Sequence, residues 1–102
     1  MAKKDLHVVV DFCIIPLGVG LSLAPYIRKC QEILKKAKLK TNLHAYGTNI
    51  EGNWDDVFGA IKKCHEALHK DGVPRISTSI KVGTRTDKPQ TIDGKIQSVK
   101  GK

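Results

Sequence analysis

Every second residue from Leu6 to Ile14 is large and apolar. Leu6, Val8, Val10, Phe12 and Ile14 share one face of an extended chain, and His7, Val9, Asp11, Cys13 and Ile15 share the other. A period of two over Leu6–Pro16 calls for a strand with one wholly buried face, so another layer must cover it. Pro16 and Gly18 are expected to end the strand.

The covering layer follows in the chain. Leu23, Tyr26, Ile27, Cys30, Ile33, Leu34 and Ala37 recur at helical spacing. Ser22 is the expected N-cap of this helix, Pro25 is tolerated in its first turn, and it should end near Lys38. Lys35 and Lys36 suit the negative end of its dipole. Thr41–Tyr46 and Thr48–Glu51 read as two short strands, with Gly47 between them for a tight hairpin or a bulge. Asn53 can cap a second helix, with Asp55 and Asp56 favoured in its first turn. Trp54, Val57, Phe58, Ile61, Cys64 and Leu68 form its apolar stripe, and Gly72 and Pro74 stop it.

Arg75–Gly83 alternates again, with Ile76, Thr78, Ile80 and Val82 opposite Arg75, Ser77, Ser79 and Lys81. Thr91–Val99 carries a short, weak helical pattern through Ile92, Ile96 and Val99. The order is β-α-β-β-α-β with a helical tail, the ferredoxin-like α+β pattern. It predicts one domain over residues 1–102, a four-stranded antiparallel sheet, and two helices on one of its faces. The other face is left open. Its expected residues are Asp11, Cys13, His44, Tyr46, Ser77, Ser79 and Lys81, with Val9 and Ile15. Such a mixture suits packing against another subunit, a small polar ligand, or a ligand at the subunit boundary.

Composition narrows the function classes. A chain of 102 residues has room for one core and none for separate cofactor and substrate domains. No apolar run of 18 residues exists, so no transmembrane helix is expected. The segment after Met1-Ala2-Lys3-Lys4-Asp5 contains His7 and Asp11 and reads as a strand and not a signal peptide, and a cytoplasmic protein is expected. Cys13, Cys30 and Cys64 are odd in number and show no C-x-x-C spacing, so they read as small buried hydrophobes. The ends, at Ala2–Lys4 and at Gly101 and Lys102, are expected to fray.

The net charge of +8 raises nucleic acid as a partner. RNA-binding domains of this fold stack bases on sheet aromatics. Here only Tyr46 is expected to reach the open face, and much of the basic charge sits on outer helix faces. Specific nucleic-acid binding is therefore not favoured. His65 and His69 share a helix face but lack a third ligand, so no metal site is expected. There is no G-x-S-x-G, and Gly18-Val19-Gly20 lacks the rest of a phosphate loop. No catalytic residue and no cofactor are expected.

Two clusters remain. One is His44-Ala45-Tyr46-Gly47-Thr48-Asn49-Ile50-Glu51-Gly52 with Trp54-Asp55-Asp56-Val57. The other is Arg75-Ile76-Ser77-Thr78-Ser79-Ile80-Lys81-Val82-Gly83-Thr84-Arg85-Thr86-Asp87. With Pro16-Leu17-Gly18 and Ser22 they run through nearly the whole chain, in order. In these segments the sequence resembles the small thiamine-binding-protein family, the YkoF-like group. The resemblance implies a ferredoxin-like fold and subunits assembled through their sheets into dimers or tetramers. It also implies binding of thiamine or its hydroxymethylpyrimidine portion, without catalysis.

The residue types suit such a ligand. An aminopyrimidine needs an acceptor and a thiazolium needs a carboxylate or an aromatic face. Asp11, Glu51 and Tyr46 offer these, Ser22 and Thr48 offer neutral hydrogen bonds, and Arg85 suits a phosphorylated form. Glu51 has no evident capping duty, so its carboxylate is expected to be free for a ligand. The competing expectation is that Glu51 pairs with Arg85. The alternative functions are a structural module without ligand and a weak polyanion binder.

Overall fold

The structure is a computed structural model and describes residues 6–101. Seven elements follow one another: β1 (His7–Leu17), α1 (Ala24–Lys36), β2 (Lys40–His44), β3 (Gly47–Asn53), α2 (Trp54–Lys70), β4 (Arg75–Thr84) and α3 (Ile92–Lys100). The sheet order is β2-β3-β1-β4, and every pair is antiparallel. This is the ferredoxin-like α+β arrangement that the alternations predict. The fraying expected at Ala2–Lys4 lies outside the described residues, whereas Gly101 closes α3 as its C-cap with φ of 83°.

The period of two decides the faces. Val8, Val10, Phe12 and Ile14 are buried to between 0 and 6% exposure. They pack with Ile50 of β3, Cys30 and Leu34 of α1, and Val57, Ile61, Cys64 and Leu68 of α2. Asp11 lies opposite Asn49 on one side and Lys81 on the other, and Cys13 lies opposite Ser79. These residues occupy the face away from the helices.

Several local expectations are corrected. Strand β1 runs through Pro16 to Leu17, where it pairs only with β4. A proline is tolerated where a strand has a neighbour on one side only. Ser22 does not cap α1. The cap position is Leu23, with no side-chain bond, and both Tyr26 and Ile27 donate their N–H to the Leu23 carbonyl. A cap bond from Ser22 would run to the second or third helical N–H, and the third would be that of Pro25, which has none. Tyr46 is not in a strand. His44 pairs with Gly47, so Ala45 and Tyr46 form a two-residue hairpin turn. Glycine is required at position 47, because a Cβ there would lie 2.8 Å from the Phe12 carbonyl oxygen. Asn53 caps α2 as expected, accepting from the Asp55 N–H at 3.2 Å.

The second sheet face is not left fully open. The Gln90 amide donates to the Gly83 carbonyl at 3.0 Å and Ile92 N–H donates to Glu51 at 2.7 Å. Lys40 pairs with Asp93 at 2.7 Å. Since Glu51 and Gly83 both lie opposite Val9, the start of α3 covers that end of the face and buries Ile92.

Candidate functional site

The β1–β3 ladder stops at the Phe12–Thr48 pair because β3 begins at Gly47. Beyond it β1 continues without a partner on that side. A cavity of about 510 Å³ occupies the gap. It is lined by Phe12 and Ile14 of β1, by Leu23 at the cap of α1 and Ile27 within it, and by the Leu43–Gly47 hairpin. No carboxylate, lysine or arginine among the described residues lines it. Its polar side chains are few. The Gln31 amide nitrogen donates to the Thr48 hydroxyl oxygen at 2.9 Å. Tyr46 stands at the rim, 87% exposed. A mainly apolar concavity with a few placed polar groups is the usual form of a small-molecule site.

The hairpin is braced from the other sheet face. His44 Nδ1 accepts the Tyr46 N–H at 3.3 Å, which leaves the ring proton on Nε2, 2.7 Å from Asp11 Oδ1. Asn49 approaches the same carboxylate oxygen at 3.5 Å and is itself bonded by Asn42. A chain of polar contacts therefore ties β2, β3 and β1 to the turn that bounds the cavity.

The six residues expected to bind a ligand do not converge. Tyr46 and Thr48 line the cavity, and Asp11 touches it only through His44. Ser22 is exposed in the loop before α1. Glu51 is not free: one carboxylate oxygen takes the Ile92 N–H and the other lies 3.8 Å from His7 Nε2. Nor does Glu51 pair with Arg85, whose guanidinium is 2.8 Å from Asp87 through Nε. That hydrogen bond holds the Asp87 carboxyl down to about 2. Gln31 was not anticipated. Its signal was a polar side chain one turn beyond Ile27 and beside Cys30, on the inward flank of α1.

The remaining candidates have structural partners. His65 Nε2 is 2.6 Å from the Thr78 hydroxyl, and His69 Nδ1 donates to the Val73 carbonyl at 2.8 Å. Cys30 and Cys64 are buried, and the Cys64 thiol is pushed up by its hydrogen bond with Cys30 and by burial. Cys13 departs from the expected burial: it is half-buried at the cavity. Among the described residues no helix is long and apolar enough to cross a membrane.

The model of a family described as thiamine-binding protein matches residues 10–100. The chain belongs to this family. A UPF0045 protein of Synechocystis is 57% identical over 96 residues, which is 94% of this chain and 79% of that one. A hypothetical protein of Methanocaldococcus jannaschii has a solved structure that superposes with a TM-score of 0.85. It is 37% identical over 92% of this chain and 96% of its own. A putative thiamine biosynthesis/salvage protein of Thermotoga maritima shares the fold, with a TM-score of 0.77. Its identity is 17% over 91% of this chain and 98% of its own.

Proposed function

We propose that this chain is a non-enzymatic binding protein for thiamine or its hydroxymethylpyrimidine moiety. The carrying observation is the cavity beside β1, a concavity of about 510 Å³ with an apolar lining and one neutral hydrogen-bonding pair. A flat heteroaromatic ring suits that lining. Family membership supports the choice of ligand. The absence of catalysis is supported by the His44–Asp11 pair, whose histidine lines the cavity. His44 uses both ring nitrogens, one on Asp11 and one on the Tyr46 N–H, so neither is free to take a proton from a substrate.

The same proposal includes a homodimer or homotetramer packed through sheets, in the cytoplasm. Ile15 and Leu17 remain 37% and 39% exposed on the face away from the helices, and such exposed apolar side chains favour contact with a second copy. Three unpaired thiols suit a reducing compartment. Calorimetric titration with thiamine, its phosphates and hydroxymethylpyrimidine tests the binding function. Saturable one-to-one binding of at least one of them is expected. No heat with any of them at millimolar ligand leaves the ligand-free structural module as the reading. Salt-sensitive binding of RNA in its place would favour the polyanion binder.

A further inference from the structure

Resting on the binding function above, we infer that His44 is a positioning residue whose ring holds the turn at the cavity rim only while Nδ1 is unprotonated, so that acid loosens the turn and weakens ligand binding. The turn itself creates the need for such a group. His44 pairs with Gly47, so the backbone closes between these two, and the N–H of Tyr46 lies between them without a ladder partner. The His44 ring supplies the acceptor, with Nδ1 3.3 Å from that nitrogen. This is the contact that an asparagine makes to the N–H two residues on, here made by an imidazole. A backbone N–H can only donate, so Nδ1 carries no proton and Nε2 donates to Asp11 Oδ1 at 2.7 Å.

Glycine at position 47 makes room for the ring. A Cβ there would lie 3.4 Å from His44 Cε1, so the imidazole passes over Gly47 on its way from β2 to β1. The His44 and Asp11 side chains are 34% and 47% exposed, and the pair exchanges protons directly with water. The charged and titratable groups around the ring are few. Asp11 comes from β1, with Lys81 of β4 opposite it. Cys13 lies two residues further along β1, and the exposed Tyr46 phenol belongs to the turn. β3 meets the Asp11 carboxylate with neutral Asn49, which Asn42 of β2 holds. Among the described residues α1 brings one titratable group to the cavity, the Cys30 thiol. Asp93 of α3 is taken by Lys40, at the other end of β2.

A proton from water that binds Nδ1 makes the ring an imidazolium with a donor at both nitrogens. Nε2 keeps its bond to the Asp11 carboxylate, which then joins two charged groups. Nδ1–H faces the Tyr46 N–H, donor against donor, and that bond is lost. The ring stays anchored on β1, so the turn is the part that gives way. The Leu43–Gly47 segment lines the cavity. A loosened turn holds a ligand less well, because ordering it becomes part of the cost of binding.

The test pairs titration calorimetry with NMR from about pH 8 to about pH 5, the range in which histidine gains its second proton. His44→Asn keeps an acceptor for the N–H two residues on and has nothing to protonate. The wild-type affinity for thiamine and for hydroxymethylpyrimidine, divided by that of His44→Asn, should fall about threefold to tenfold as the pH is lowered. Protonation of the ligand itself is common to both proteins and cancels in this ratio. Without ligand, the Tyr46 amide resonance should shift with pH in the wild type and stay in place in His44→Asn. The amide of Val10, in the buried centre of β1, reports an intact fold. A merely structural histidine would change affinity on substitution yet leave the ratio constant with pH. A constant ratio with ligand bound at every pH overturns the inference and leaves the binding function standing, and so does a Tyr46 amide that ignores pH. A folded wild type that binds neither compound at any pH overturns both.

Discussion

His65 sits against β4 with Nε2 on the Thr78 hydroxyl and its ring centroid 6.4 Å from that of His69. Desolvation, and then the neighbouring His69, pull its pKa below the ordinary histidine value. In the unfolded chain the ring titrates near about 6.5. Between the folded and unfolded values the unfolded chain therefore holds more protons, so stability rises with pH there. The stability from a neutral His65 is complete above about 6.5 and is lost as pH falls below it. Thermal melts from pH 8 to 5 should show a declining midpoint on the acid side, and His65→Gln should flatten that part of the curve. An unchanged slope in the variant would assign the acid loss to other groups.

At the scale of elements, α3 is held by few contacts, and the Glu51 carboxylate is central among them. It accepts the Ile92 N–H, the first helical N–H, which has no partner within its own helix. Thr91 caps the same end by accepting from the Gly94 N–H at 2.9 Å. The Lys40–Asp93 pair adds little, because both side chains are more than half exposed. Glu51→Ala should lower unfolding free energy by about 1–2 kcal/mol, and Glu51→Gln, which keeps an acceptor, should lower it less. Denaturant melts check this. Ligand affinity should move little, since the cavity lies on the far side of the sheet from α3. Lost affinity with unchanged stability would return Glu51 to the binding site.

For the whole molecule, coverage of the sheet is uneven. The helices bury the centre of one face, yet Ile80 and Val82 of the edge strand β4 remain 37% and 39% exposed there. On the other face α3 covers one end and leaves Ile15 and Leu17 uncovered. Unpaired edges and uncovered apolar rows are features that folded chains usually close. The oligomer proposed above is checked by light scattering at micromolar concentration, which should give two or four times 11.2 kDa. A clean monomer would remove sheet-to-sheet packing from the proposal.

Element order, the buried face of β1 and the Asn53 cap were all legible in the sequence, because each rests on a period or a contact spanning a few residues. The alternation through Val8, Val10, Phe12 and Ile14 needs no knowledge of what packs on it to declare which face is inward. The cap of α1 departs from the usual pattern because Pro25 removes an N–H that this pattern assumes. The site was not legible. Its parts come from segments far apart: Gln31 meets Thr48 across 17 residues, His44 meets Asp11 across 33, and Glu51 meets Ile92 across 41. These meetings depend on where the β1–β3 ladder stops and on how α1 and α3 lie against the sheet. Glu51 has the residue type of a ligand carboxylate, and only the docking of α3 gave it a helix terminus to hold. Chemistry along the chain determines which groups are available, whereas register and packing between distant segments decide which remain free to meet a ligand.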